Sequence, residues 1–361
     1  MFMDIYRNCR VLLTGHTGFK GSWMAYWLQA LGAEVCGYAL DAPSTPSHWD
    51  LLGLDMQSEI ADIRDSQTLD KVFSDFQPEI VFHLAAQPLV RTSYDDPVET
   101  YSTNVMGALN VFEACRRTES VRAVINVTSD KCYENREWLW GYRENDPMGG
   151  YDPYSSSKGC SELLTRSYRS SYFNPADFGS KHQTLMASCR AGNVIGGGDW
   201  AEDRLIPDMM RAVDAGESVE IRNPTATRPW QHVLEPLGGY LLVGQKLLEG
   251  NVAAASGWNF GPADEGSISV QQVVENIKSH WERIDYRLPE NFEAPHEANL
   301  LKLDCSKAHS LLGWTPVWNS QQTFEKTVSW YREFYESRTV LTASDLSAYV
   351  AVFSKGVTTD G

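Results

Sequence analysis

The feature that most constrains this chain is a glycine-punctuated turn joining a short apolar strand to an amphipathic helix, Arg10 to Leu31 (RVLLTGHTGFKGSWMAYWLQAL). Val11, Leu12, Leu13 and Thr14 predict a buried strand. Phe19, Trp23, Trp27 and Leu31 recur every four residues, and Met24 and Leu28 widen the same face, which predicts a helix. Gly15, Gly18 and Gly21 lie between, spaced G-x-x-G-x-x-G. Such a turn presents free backbone N–H groups and the positive end of a helix dipole, a site for a pyrophosphate. Gly15 allows the tight turn, Gly18 the approach of phosphates to the backbone, and Gly21 the close packing of helix on strand. Glycine turns also serve plain geometry. Here the position near the N-terminus, after a strand and opening a helix, favours dinucleotide binding.

The following segments repeat the alternation of strand and helix expected of a doubly wound parallel sheet. Glu34 to Leu40 reads as the second strand. Where an acid usually holds the adenosine ribose stands Ala39, with Asp41 two residues late, and no arginine follows directly; this favours NAD over NADP. Glu59 to Asp65 predicts a short strand ending in acids. Asp62 can accept from an adenine amino group with Ile63 packed on the ring, or the acids here, with Asp65 and Ser66, can cap the helix SQTLDKVFSDF. Pro78 to Gln87 is continuously apolar, as buried parallel strands are. Ala85 and Ala86 leave room for a ligand at its carboxyl end, and His83 reads as a packed core residue. Arg91 sits in a loop able to reach a substrate, and Thr103 to Arg117 predicts a long helix.

Val121 to Val127 reads as a further buried strand, delivering Thr128, Ser129, Asp130 and Lys131 to the edge where such folds do chemistry. Tyr133 to Met148 has no clean period and suggests an irregular lid or insertion. Tyr154 and Lys158 then fall four apart at the start of a helix and share a face. An ammonium beside a phenol favours the phenolate and lowers its pKa from about 10.

At 361 residues the chain can build two lobes. A net charge of -16 argues against nucleic acid or an anionic membrane as partner, and requires a local basic pocket for any anionic substrate. Arg204, Arg211, Arg222 and Arg228 cluster in one segment and could supply it, although Asp203, Asp208 and Glu220 nearby could simply pair with them. The 7 cysteines are scattered without C-x-x-C spacing and the 8 histidines are dispersed, so neither disulfides nor a metal site are expected. With no signal peptide or membrane-spanning run in sight, the expected location is the cytoplasm.

Taken together, TGHTGFKG at 14–21, ADIRD at 61–65, HLAAQ at 83–87, NVMG at 104–107 and YSSSK at 154–158 resemble the extended short-chain dehydrogenase/reductase superfamily. TSDKCYEN at 128–135, RAGNVIGGGDWAEDRLIPD at 190–208, RNPTATRPWQHVLEPLGGYL at 222–241 and PHEANLLKLD at 295–304 resemble its nucleotide-sugar 4,6-dehydratases, most closely those acting on CDP-glucose. The resemblance implies an α/β fold: a Rossmann lobe for NAD (1–190 and 229–260), an interleaved smaller lobe for the nucleotide sugar (191–228 and 261–345), and a loosely held tail (346–361). It implies that Gly15, Thr17, Gly18, Phe19, Gly21, Asp62, Ile63, Ala85, Ala86, Tyr154 and Lys158 contact NAD. Tyr154 would take the C4 hydroxyl proton, with Ser129 holding the C4 oxygen and Lys158 tuning Tyr154. Asp130 would be the acid at C6. Many of these dehydratases carry a glutamate next, as base at C5, where this chain has Lys131. Arg91, Asn193, Arg204, Arg228 and His296 are the implied substrate contacts. The family implies a homodimer through helices 104–117 and 154–171, and a place in deoxysugar synthesis for bacterial surface polysaccharide such as O-antigen. Two rivals are a nucleotide-sugar 4-epimerase, which needs no acid at C6, and a non-catalytic NAD-binding scaffold, which would not need Ser129, Tyr154 and Lys158.

Overall fold

The computed structural model describes residues 2–221, 224–263, 267–288 and 300–357. Its strands, in chain order, are β1 (Arg10–Thr14), β2 (Glu34–Ala39), β3 (Gln57–Ile60), β4 (Ile80–His83), β5 (Ala123–Val127), β6 (Leu185–Ala191), β7 (Asn193–Ile195), β8 (Val219–Glu220), β9 (Thr227–His232), β10 (Gly257–Phe260), β11 (Ser267–Ser269) and β12 (Tyr286–Arg287). Seven of them form one parallel sheet in the order β3-β2-β1-β4-β5-β6-β10. The strand order reverses between β1 and β4, which opens a crevice above their carboxyl ends. This is the Rossmann arrangement that the alternating pattern predicted.

The continuous apolar runs have a direct physical cause, since successive residues of a strand point to opposite faces. Val11, Leu13, Ile80, Phe82 and Ile125 enter one core, with Trp23 and Trp27 of the helix Phe19–Ala30. Leu12, Cys36, Tyr38, Val81 and Val124 enter the other, with Leu69 and Phe112. A three-stranded sheet, β11-β9-β7, and a two-stranded sheet, β12-β8, hold the chain beyond β6.

Several boundaries differ from expectation. The third strand ends at Ile60, and Asp65 caps the helix Ser66–Phe76 by accepting from Gln67 N and Thr68 N. The long helix starts early, at Pro97, where the Asp96 side chain accepts from Glu99 N. It then runs through a π-helical stretch, Ser102–Gly107, into Ala108–Arg117. A Cβ on Gly107 would stand 2.5 Å from Ile63 Cδ1, so a larger residue there would displace the Ile63 side chain. Tyr133 to Met148 is irregular but is not a lid. Tyr133 and Tyr142 stack and, with Cys132 and Leu301, make a small core of their own.

The loosely held tail expected over 346–361 is corrected as far as residue 357. Thr342–Val357 is a helix that buries Leu346, Tyr349 and Phe353 against Trp27, Trp318 and Phe2. Those residues recur at helical spacing, so their apolar face drives the docking.

Candidate active site

A cavity of about 940 Å³ opens above the carboxyl ends of β1, β4 and β5 and extends beneath β7 and β9. Its floor is the glycine turn. Gly15 has φ +78, and a Cβ there would strike the Ala85 backbone at 2.8 Å. A Cβ on Gly21 would stand 1.9 Å from Gly15 O, which makes glycine obligatory for the helix to sit so close. Gly18 is the N-cap residue and brings no side chain to the first-turn N–H groups. Thr17 Oγ1 donates to Leu40 O at 2.8 Å and ties the turn to the end of β2. Thr14 Oγ1 accepts from Leu84 N and Ala85 N, which fixes the neighbouring wall. An uncapped helix start beside two alanines is a cradle that fits a dinucleotide. Gly15, Thr17, Gly18, Phe19, Gly21, Asp62, Ile63, Ala85 and Ala86 all line the cavity. The Asp62 carboxylate is gripped by Arg64, with Nη2 at 2.6 Å, and this contact holds it below its ordinary pKa. His83 is buried, bonded to Thr14 Oγ1 at 2.7 Å and pushed down to about 3 by burial, a core residue.

The opposite wall carries the reactive groups. β5 leads through Thr128 into Ser129, which caps the 3₁₀ turn Asp130–Cys132. Ser129 Oγ donates to Asp130 Oδ1 at 2.9 Å, accepts from Lys131 N, and also bonds the Tyr154 hydroxyl. Asp130 is buried and abuts Gly192, where a Cβ would lie 2.9 Å from its Oδ2. Burial raises its pKa against the pull of Lys131, Ser129 and Lys20. Pro153–Ser171 carries Tyr154 and Lys158 on one face, started by Asp152 accepting from Ser155 N. The expected depression of the phenol is corrected. Burial pushes Tyr154 up to about 12 against the Ser129 hydrogen bond and the charge of Arg204. Burial likewise brings Lys158 down to about 8, and Glu162, one turn on, opposes this. Desolvation is the largest cause of both shifts.

The basic residues divide. Arg91 pairs with Asp203 at 3.2 Å and Arg204 with Asp199 at 2.9 Å, both on the cavity wall. Arg211 lies off the cavity, bonded to Asp208 and to the Trp200 and Ala201 carbonyls, a structural role. Asn193 and Arg228 line the cavity, and Arg228 Nη1 donates to Thr227 O at 3.0 Å. Arg222, His296 and Glu297 lie outside the described residues. Among the described residues no cluster of His, Cys, Asp or Glu is placed to hold a metal ion. No helix of them is long and apolar enough to cross a membrane.

Two features escaped the sequence. Lys20 lines the cavity within reach of the charges of Asp130, Lys158 and Arg204. Its signal was a cation inside the glycine motif. Behind the cavity, the buried Glu162 accepts from Arg190 Nη2 and Ser188 Oγ, both at 2.7 Å, and from Thr128.

The family profile described as GDP-mannose 4,6 dehydratase matches residues 12–327. A CDP-glucose 4,6-dehydratase of Salmonella typhimurium is 51% identical over 98% of this chain and 99% of its own. A dTDP-glucose 4,6-dehydratase of Xanthomonas campestris is 25% identical over 89% of this chain and 92% of its own. Among solved structures, a Thermus thermophilus UDP-glucose 4-epimerase complexed with NAD superposes with TM-score 0.75 at 24% identity, covering 90% of this chain and 99% of that one. A Bacillus anthracis dTDP-glucose 4,6-dehydratase in complex with NAD gives 0.72 at 20%, covering 90% and 97%.

Proposed function

The chain belongs to the GDP-mannose 4,6 dehydratase family of extended short-chain dehydrogenase/reductases, and from that membership we propose that it dehydrates CDP-glucose to CDP-4-dehydro-6-deoxyglucose. The whole-length likeness to the Salmonella enzyme carries the choice of sugar nucleotide. Asp130 supports dehydration over epimerisation: inverting C4 needs no acid at C6, and here a buried carboxyl stands ready beside Ser129 and Tyr154. When bound, NAD would supply the hydride acceptor for C4 and the donor for C6, which keeps the overall reaction redox-neutral.

In this reading the glycine turn with Asp62, Ile63, Ala85 and Ala86 holds the cofactor. Tyr154 takes the C4 hydroxyl proton and Ser129 donates to the C4 oxygen. The new ketone acidifies the C5 hydrogen. Asp130, whose pKa burial raises, donates a proton to the departing C6 oxygen. Lys131 joins the elimination half, either as base at C5 or as the charge beside the Asp130 carboxylate and the enolate. Arg91, Asn193, Arg204 and Arg228, with His296, take the nucleotide end, and Arg228 is the deepest of the arginines on the cavity wall. The lobes follow the division 1–190 with 229–260 and 191–228 with 261–345. The working site is the cytoplasm, and the product feeds deoxysugar synthesis.

A homodimer is part of the same proposal. Val98, Met106 and Leu163 lie exposed at 77%, 52% and 56% on the helical segments around Ala108–Arg117 and Pro153–Ser171. Apolar side chains so exposed on neighbouring helices suit a second copy. A monomeric mass by light scattering at micromolar concentration would overturn it.

The test of function is direct. The protein is mixed with CDP-glucose, dTDP-glucose, GDP-mannose or UDP-glucose, and the alkaline absorbance of a 4-keto-6-deoxy sugar is followed. Formation from CDP-glucose alone is expected; a C4-inverted sugar with no ketone would make it an epimerase.

A further inference from the structure

Lys20 stands second in the helix Phe19–Ala30, and its side chain lines the cavity. Among the described residues it has no hydrogen bond and no ion pair, whereas Arg91 and Arg204 on the same wall each have a carboxylate. The charges around it come from separate elements. Asp130 follows β5, Lys158 is on Pro153–Ser171, and Arg204 precedes the helix Leu205–Ala215. These are the groups of the reacting centre, and Lys20 meets them from the opposite side of the crevice.

Elimination across C5 and C6 needs an acceptor for the C5 proton and a donor to the C6 oxygen on adjacent carbons, so base and acid must be neighbours. We propose that Lys20 is a further catalytic residue of this step, its neutral amine taking the C5 proton while Asp130 gives its proton to the leaving C6 oxygen. The proposal rests on the dehydratase reading above. The C5–H bond breaks and an N–H bond forms on Lys20. The freed electron pair becomes the C5–C6 double bond, the C6–O bond breaks, and water departs carrying the Asp130 proton. Lys20 ends as an ammonium and Asp130 as a carboxylate, charges of opposite sign that attract each other. In the closing step the ammonium returns its proton to C5. The proton that Tyr154 took from the C4 hydroxyl balances the one that left with water.

The setting suits an amine base. Burial, joined by the charges of Arg204 and Lys158, brings Lys20 down to about 8 against the pull of Asp130. About a tenth of it is then neutral at pH 7. Lys131 is placed differently. It shares the turn of Asp130, and its charge is the largest of those drawing that carboxyl down. Its part is therefore to steady the Asp130 carboxylate that water departure leaves behind. An ammonium that merely grips a phosphate is the plain alternative for Lys20, and arginine would replace it there.

The test compares Lys20→Met and Lys20→Arg with the parent protein on CDP-glucose, on its C5-deuterated form and on its C4-deuterated form. Calorimetry with CDP-glucose checks that each variant folds and binds. Both variants are expected to bind close to the parent affinity and to turn over about 10²–10³-fold more slowly. Their turnover should be slowed further by deuterium at C5 and not at C4, and uptake of solvent deuterium at C5, read by NMR, should fall in parallel. Parent-like turnover in Lys20→Arg, or slowing by C4 deuterium instead, overturns the base assignment and leaves the dehydratase standing. Failure of the parent protein itself to make the 4-keto sugar overturns both.

Discussion

Asp130 and Glu162 are both buried carboxylates close to the carboxyl ends of the central strands, and their surroundings differ in kind. Glu162 lies behind the cavity. Burial opposes its ionisation, but the charge of Arg190 and hydrogen bonds from Arg190, Thr128 and Ser188 outweigh that and hold its pKa down. Arg190 in turn is fixed by Tyr133, whose hydroxyl also donates to Asn259. Asp130 lines the cavity, receives hydrogen bonds from Ser129 and from the Lys131 backbone, and has lysine charges near it in place of an arginine fork. Burial wins there, and the carboxyl's pKa is raised above its ordinary value. A carboxylate whose partners outweigh burial is held ionised as scaffold; one whose partners do not is shifted toward the form that can donate a proton.

The largest effect should come from the cavity side. Tyr154→Phe removes the acceptor of the C4 hydroxyl proton and leaves the ring, so formation of the 4-keto sugar should fall about 10²–10⁴-fold with the melting temperature unchanged. Product formation near the parent rate would remove Tyr154 from the chemistry.

On the other side of the comparison the loss should appear in stability. Arg190→Leu strands Glu162 as a buried charge, which costs about 3–5 kcal/mol. Urea unfolding reads it. Asp130→Asn, in contrast, should leave the urea midpoint close to that of the parent while elimination stops. Equal destabilisation by the two changes would erase the distinction between scaffold and working carboxylate.

A third carboxylate sharpens it. Glu235 is buried and, among the described residues, pairs with no cation, accepting from Val317 N, Trp318 N and the Tyr349 hydroxyl, and burial raises it to about 7. Its folded pKa exceeds the unfolded value of about 4.3, so the stability it contributes is full below that value and is lost as pH rises through 7. Glu235→Gln keeps an acceptor and cannot ionise. Relative to the variant, the parent should therefore lose about 2 kcal/mol between pH 5 and pH 8. A gap between parent and variant that stays constant over that range would show that donors without a cation already hold Glu235 ionised.

What was legible in the sequence was local. The glycine turn, the alternating strands, the polar residues ending β5, and Tyr154 with Lys158 all depend on neighbours within one helical turn or one strand end. The missing parts depend on chain brought together from afar. The role of Lys20 requires Asp130, more than a hundred positions later, to face it across the crevice. The pairing of Arg91 with Asp203 likewise joins two distant loops. The upward shift of Tyr154 is a property of burial, which no i, i+4 spacing reports. The docked C-terminal helix is different, because Leu346, Tyr349 and Phe353 carried a readable apolar face.

The smallest effect tests the comparison with arginines. Arg190 and Arg228 are both buried, at 4% and 9% exposed. Arg190 serves Glu162 inside the scaffold, whereas Arg228 is on β9 and lines the cavity where the nucleotide end of the substrate is proposed to lie. A hydrogen bond from arginine to a phosphate contributes about 1.5 kcal/mol, roughly tenfold in affinity. Arg228→Ala should accordingly weaken binding of CDP-glucose and of CDP by about that factor, measured by calorimetry. Cytidine, which has no phosphate, should bind the parent and the variant alike. The urea midpoint should hardly move, in contrast with Arg190→Leu. An equal loss of affinity for cytidine and CDP would mean that Arg228 shapes the wall, and a fall in stability would place it with Arg190 in the scaffold.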